Sequence, residues 1–208
     1  MSIPVAKQYI LDFEQGKPTP MDREGMTKYV AAEMCETLND HWGIGYDDLC
    51  YKSPVYLIQC LCDCRKVGAN YLLNIGPEAQ GKINEYQKEL LGLLGRWMDL
   101  FGEAIYNGRP CGVAGIGKNF ALKSTDGKSL YLFVYDLAIK GDDNVTVGGK
   151  YRGAYAFGGV QDEIESVKWM DNDEELSFVQ GDNMLAVDFT GQPYGKSYPV
   201  RVAKAVIK

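Results

Sequence analysis

The feature that most constrains this chain is a change of hydrophobic period near Pro110. Before it, apolar residues recur at helical spacing between short extended runs. Ser53-Pro54 forms a helix start, a hydroxyl N-cap followed by proline at the first helical position, and Leu57, Ile58, Leu61 and Cys64 carry the pattern to a stop at Gly68. Asn70-Tyr71-Leu72-Leu73-Asn74-Ile75, closed by Gly76-Pro77, reads as a strand buried on both faces. A second helix follows, with Ile83, Tyr86, Leu90, Leu93, Leu94, Trp97 and Phe101 on one stripe and Gly102 just beyond. Helix, buried strand and helix in series imply a parallel sheet with covering helices.

After Pro110 the period becomes that of strands. Candidates are 119–124, 129–135, 164–169, 175–179, 184–189 and 198–207, with Thr125-Asp126-Gly127-Lys128 and Gly181-Asp182-Asn183 as hairpin turns. The fold class expected is therefore α/β followed by all-β, the second part an antiparallel β-sandwich. Asn107-Gly108-Arg109-Pro110 is the connector, dividing the chain into residues 1–108 and 109–208. The first part holds only two or three β-α units. It is either a small open α/β domain or the tail of something larger, with sheet edges left open.

Charge narrows the partners. The net charge is -6, with 10 basic and 15 acidic side chains in residues 1–108 and 12 and 13 in residues 109–208. Neither part is basic, so nucleic acid is not an expected partner. No apolar run reaches the length of a membrane helix. The opening residues show no charged-then-apolar export pattern, so a cytoplasmic chain is the expectation. Six cysteines stand at positions 35, 50, 60, 62, 64 and 111. The Cys60-Leu61-Cys62-Asp63-Cys64 spacing does not match zinc ligation, and Cys60 and Cys64 share a helix face as small buried hydrophobes. No metal and no cofactor are expected.

Two motifs invite chemistry and fail on inspection. Gly76-Pro77-Glu78-Ala79-Gln80-Gly81-Lys82 fits a phosphate loop, but Pro77 removes an N–H, Glu78 puts a carboxylate where phosphate would sit, and Ile83 replaces the magnesium-binding hydroxyl. His41 is the single histidine, and Cys35 nearby carries no mark of a nucleophile. Carboxylates are better supplied: Glu14, Glu33, Glu36, Asp40, Asp47 and Asp48 crowd the first fifty residues beside Trp42 and Tyr46. Two carboxyls flanking a glycosidic bond, with an aromatic face for the sugar, are the groups a glycosidase uses.

The order of motifs resembles the C-terminal portion of α-L-fucosidases of glycoside hydrolase family 29. Glu33-Met34-Cys35-Glu36-Thr37 followed by Trp42-Gly43 and Tyr46 is similar to the family's Trp-Glu, Thr and Trp-Gly-Tyr series, with Ala32 in place of the first tryptophan. Gly68-Ala69-Asn70-Tyr71-Leu72-Leu73-Asn74-Ile75-Gly76-Pro77 is similar to its Gly-Gly-Asn-Tyr-Leu-Leu-Asn-x-Gly-Pro strand. Gly81-Lys82-Ile83, Gly95-Arg96-Trp97, Gly102-Glu103-Ala104-Ile105-Tyr106 and Arg109-Pro110 complete the match over residues 29–110.

The resemblance implies the end of a (β/α)8 catalytic barrel followed by a β-sandwich, and a fucosylated glycan as substrate. The family cleaves terminal α-L-fucose with retention, through an aspartate nucleophile and a carboxyl acid/base. That nucleophile belongs to a Trp-x-Asp strand upstream of all these motifs. Trp97-Met98-Asp99 and Trp169-Met170-Asp171 have the right letters, one late in a helix and the other in the sandwich. The expectation is a fucosidase fragment inactive alone, prone to self-association unless a missing N-terminal barrel segment is supplied. Glu14 is the first acid/base candidate, within Asp12-Phe13-Glu14-Gln15-Gly16-Lys17-Pro18-Thr19-Pro20, and Glu33 the second. Trp42 and Tyr46 are the substrate-binding candidates, Trp42 as an apolar wall for the sugar or simply as a core aromatic. The alternative function is a non-catalytic carbohydrate-binding or interaction module built on the sandwich.

Overall fold

A computed structural model describes residues 32–139 and 153–208. The chain forms two compact units that divide between Arg96 and Trp97.

The first unit is a β-α-β arrangement. Strand β1 (Ala32–Thr37) pairs in parallel with β2 (Ala69–Asn74), in a register running from Ala32 opposite Ala69 to Thr37 opposite Asn74. Helix α1 (Pro54–Val67) joins them. Its start and stop are those the sequence predicts: Ser53 accepts from the Tyr56 N–H, and Gly68 closes the helix in the left-handed conformation at φ 73°. Strand alternation puts Ala32 and Met34 of β1 and Ala69 of β2 against α1, where they pack with Cys60 and Cys64. The opposite face carries Glu33, Cys35, Asn70 and Leu72. Leu72 is 46% exposed, so β2 is not covered on both faces as its apolar run suggested. Among the described residues β2 has β1 as its one strand neighbour.

Helix α2 (Glu85–Asn107) is longer than its stripe implied and runs through Gly102. A helical glycine costs about 1 kcal/mol relative to alanine. Burial of Phe101, Ala104 and Ile105 on either side of it offsets that loss.

Among its described residues the second unit holds eight antiparallel strands: β3 (Gly108–Gly115), β4 (Phe120–Ser124), β5 (Ser129–Tyr135), β6 (Gly153–Gly158), β7 (Ile164–Trp169), β8 (Phe178–Gly181), β9 (Met184–Phe189) and β10 (Val200–Ile207). They hydrogen-bond in the order β7-β10-β5-β4-β3-β6-β9-β8. Trp169 of β7 and Phe189 of β9 lie far apart in that order, yet their rings are 5.1 Å apart. The sheet therefore folds back on itself as a sandwich, with Leu132, Val134, Phe157, Val167, Leu185 and Val187 between its halves. Strand β5 is buried at every position. On its second face the end of α2 lies against it, where Glu103 accepts from the Tyr131 hydroxyl at 2.8 Å, and Trp97 in mid-helix ties α2 to the neighbouring β10 by donating from Nε1 to the Val200 carbonyl at 2.8 Å.

The architecture is thus the end of an α/β barrel followed by an antiparallel β-sandwich, as the sequence and the resemblance implied. Three strands fall on their expected bounds, while the strand expected at 175–179 lies at Phe178–Gly181. Strands β3 and β6, rich in glycine, were not anticipated.

Candidate functional site

In a parallel α/β layer, chemistry gathers on the loops that leave the C-terminal ends of the strands. Two such loops occur in the first unit, residues 38–53 after β1 and 75–84 after β2. They touch: a Cβ added at Gly76 would lie 2.5 Å from the Gly43 carbonyl carbon and 2.6 Å from the Ile44 nitrogen. Only glycine permits that approach. Asn74, at the end of β2, donates to the Trp42 carbonyl at 3.0 Å, fixing the first loop to the neighbouring strand.

Asp48 holds the first loop closed. Its Oδ2 accepts from Asn39 Nδ2 at 2.8 Å and lies 3.0 Å from His41 Nδ1, while Oδ1 accepts from the Cys50 N–H at 2.9 Å. The His41 contact and the Cys50 bond hold the Asp48 carboxyl below its usual range. A carboxyl depressed on folding stabilises the folded form above its unfolded value, near 3.8, and that contribution vanishes as pH falls through the folded value. Acidification into this range is expected to loosen residues 39–50 before the sandwich melts. Amide hydrogen exchange at Cys50 reads this directly, and Asp48→Ala is expected to give the same fast exchange already at neutral pH. Slow exchange in that variant would show that Asp48 does not hold the loop.

Beneath the loop lies a polar cluster that the sequence did not single out. Glu36 is 2% exposed. Its Oε1 lies 3.1 Å from Lys52 Nζ and accepts from the Thr37 N–H at 3.0 Å, and its Oε2 accepts from the Tyr56 hydroxyl at 2.9 Å. Lys52 also donates to the Asn39 carbonyl at 2.6 Å and to the Thr37 hydroxyl at 3.2 Å, and that hydroxyl donates to the Asn39 carbonyl. Strand end, loop and helix start are thereby tied at one point. Burial, with hydrogen bonds to Cys60 and Glu36, pushes the Tyr56 phenol well above its ordinary range. One signal could have revealed the cluster: after Ala32 and Met34, alternation puts Glu36 on the helix-facing side, and a charge there requires a partner.

The residues predicted from sequence fall as follows. Glu14 and the rest of the 12–20 segment lie outside the described residues. Glu33 is the second residue of β1 and accepts from Asn70 Nδ2 at 2.7 Å, a clamp between the two strands. It precedes the strand's C-terminal end by four residues, about 13 Å of extended chain. Trp42 is 50% exposed and Tyr46 85% exposed on the loop after β1. Trp42 is therefore a displayed aromatic and not a core one.

The rejected motifs are occupied structurally. In the 76–82 segment the Gly76 N–H donates to Gln87, the Glu78 N–H to the Lys82 carbonyl and the Gly81 N–H to the Glu78 carbonyl, leaving these groups unavailable to phosphate. Asp99 is exposed on α2, and Asp171 is buried against Arg201. None of the six cysteines is in a disulfide. Burial pushes the Cys60 thiol up to about 11 and Cys64 to about 12, with Cys62 well above its ordinary value, so these are packing groups and not nucleophiles. Among the described residues no three His, Cys, Asp or Glu side chains gather as a metal set.

Comparison with known proteins bears on the same residues. The alpha-L-fucosidase family model matches residues 4–103. The alpha-L-fucosidase of Dictyostelium discoideum is 31% identical over 121 residues, 55% of this chain and 25% of its own. Human tissue alpha-L-fucosidase is 37% identical over 83 residues, 38% of this chain and 17% of its own. Among solved structures, alpha-L-fucosidase isoenzyme 1 from Paenibacillus thiaminolyticus superposes with a TM-score of 0.73 at 24% identity, covering 94% of this chain and 44% of that one. A family 29 alpha-L-fucosidase from Bacteroides thetaiotaomicron gives 0.71 at 19% identity, covering 94% and 42%. The chain thus spans less than half the length of these solved chains, and its match takes in a quarter or less of the curated relatives named.

Proposed function

We propose that this chain, which resembles the C-terminal portion of the α-L-fucosidases of glycoside hydrolase family 29, contributes a sugar-facing wall to the hydrolysis of terminal α-L-fucosides and does not turn them over by itself. The observation that carries the reading is the exposed Trp42, held on the loop after β1 by the Asn74 bond. An aromatic face at the C-terminal end of a parallel strand suits the apolar side of a sugar, including the methyl group of fucose. Tyr46, on the same loop, adds a phenol hydroxyl that can bond a sugar oxygen.

Retaining cleavage needs two free carboxyls about 5–5.5 Å apart, one to attack the anomeric carbon and one to give and take the proton. Two of the described carboxylates at this end of the unit are engaged elsewhere. Glu36 is bound to Lys52 and Tyr56, and Asp48 to Asn39, His41 and Cys50. Glu33 fits a strand clamp better than a proton donor, which leaves Glu14 as the acid/base of this reading. The purified chain is expected to release no phenol from an aryl α-L-fucoside. Turnover that disappears in Glu14→Gln would overturn the claim of inactivity and keep Glu14 in its role.

A further inference from the structure

The sandwich unit contains a small polar cavity of about 160 Å³ with no role in this reading. Helix α2 contributes Glu103 and Asn107, the β4–β5 hairpin contributes Ser124 and Asp126, β5 contributes Tyr131, and β10 contributes Lys204. Tyr131 and Lys204 stand opposite each other in the β5–β10 register, so both side chains rise from the same face of the sheet. Glu103 Oε1 accepts from Lys204 Nζ at 2.7 Å and from the Tyr131 hydroxyl at 2.8 Å. Asp126 Oδ1 accepts from the Ser124 hydroxyl at 2.6 Å and from the Lys128 N–H at 3.0 Å. These bonds orient each group, which lowers the cost of binding.

The chemistry of the walls restricts the occupant. Two carboxylates against one ammonium disfavour an anion. The Lys204 bond holds Glu103 below its usual carboxyl range, and the Ser124 bond does the same for Asp126, so both remain charged near neutral pH. A bare metal ion would meet the Lys204 charge, and no three metal-ligating side chains gather among the described residues. An apolar ligand would find little apolar wall. What remains is a neutral molecule that donates to carboxylates and accepts from an ammonium at neighbouring atoms, as adjacent hydroxyl groups do. The volume equals about five waters, enough for one sugar ring and too little for an oligosaccharide to be enclosed.

We propose that the cavity between the end of α2, the β4–β5 turn and β10 binds a single neutral sugar residue. The site is in the sandwich unit and does not depend on the fucosidase reading. Titrating the full 208-residue chain with L-fucose, and separately with D-galactose, while following amide resonances tests it. The expected result is saturable shifts at residues 103, 107, 124–131 and 204 with at least one of the two sugars. Glu103→Gln, which keeps an acceptor for Tyr131, is expected to weaken binding about tenfold, the scale of one charged hydrogen bond. Lys204→Met is expected to weaken it similarly. Shifts at these amides that persist undiminished in both variants overturn the proposal, as does the absence of saturable shifts there with either sugar. Shifts confined to residues around Trp42 would report the first unit and count equally against it.

Discussion

Replacing Arg201 by alanine is expected to destabilise the sandwich unit by about 3–5 kcal/mol, the loss seen when one partner of a buried ion pair is removed. Arg201 and Asp171 both have fully buried side chains. The guanidinium donates to Asp171 at 2.8 and 3.2 Å, to the Gly191 carbonyl at 3.2 Å and to Asn172 Oδ1 at 3.3 Å, and its carbon lies 4.0 Å from the centre of the Trp169 ring. Truncation leaves the Asp171 charge without a cation, the Gly191 carbonyl without this donor, and a void against Trp169. Asp171→Ala is expected to be comparably severe. Arg201→Met combined with Asp171→Leu removes both charges and is expected to recover much of the loss, because it avoids an isolated buried ion. Denaturant unfolding followed through the buried tryptophans of this unit, Trp97 and Trp169, gives the comparison. A loss below about 1 kcal/mol in both single variants would mean that the pair is no more than a surface-like contact.

The second large effect is expected at Lys52. Lys52→Met leaves Glu36, whose side chain is 3% exposed, without its cation. It also removes the donor to the Asn39 carbonyl and the Thr37 hydroxyl. The Lys52 side chain is 20% exposed, so solvent already shares its charge, and a loss of about 2–4 kcal/mol is expected, less than for a wholly buried pair. Glu36→Gln keeps the shape and one acceptor and is expected to cost less than Lys52→Met. The two variants together should lose less than the sum of each, since Lys52 and Glu36 act on one another. Strict additivity in that cycle would show that Lys52 acts through Asn39 and Thr37 alone. A structural consequence accompanies the energetic one: released from Lys52, the loop bearing Trp42 is expected to show faster amide exchange over residues 39–50.

Local signals were legible where the chain decides its own geometry. Ser53, Pro54 and Gly68 bound α1 because capping needs only neighbouring residues. Asp126-Gly127 makes the β4–β5 turn, with Gly127 at φ 75°, for the same reason. Strand β3 was illegible because Gly-Arg-Pro-Cys-Gly-Val-Ala-Gly has a connector's composition. It becomes a strand through pairing with β4 and β6, and Gly108 is required there, since a Cβ would lie 2.3 Å from the Ala104 carbonyl oxygen. The extension of α2 past Gly102 is likewise decided by what Phe101 and Ile105 bury, which no local rule reports. The site divides in the same way. Trp42 and Tyr46 are singled out by motif spacing, and the structure places both, exposed, on the loop after β1. The Glu36–Lys52–Tyr56 cluster is not singled out in this way, because its members meet only once β1 is laid against the start of α1.

Helix α2 begins in one compact unit and ends as a wall of the other, with no connector between. Its Trp97, Phe101 and Glu103 are as much a part of the sandwich as the strands they cover. Anyone transplanting the β-rich half into another protein would therefore need to cut before Trp97, in mid-helix, because a cut at the glycine and proline of the visible junction would strip the lining from β5. The transferable piece in such fusions is a helical stub with the strands that follow it, and shuffling at the junction would yield proteins that begin life with an uncovered seam.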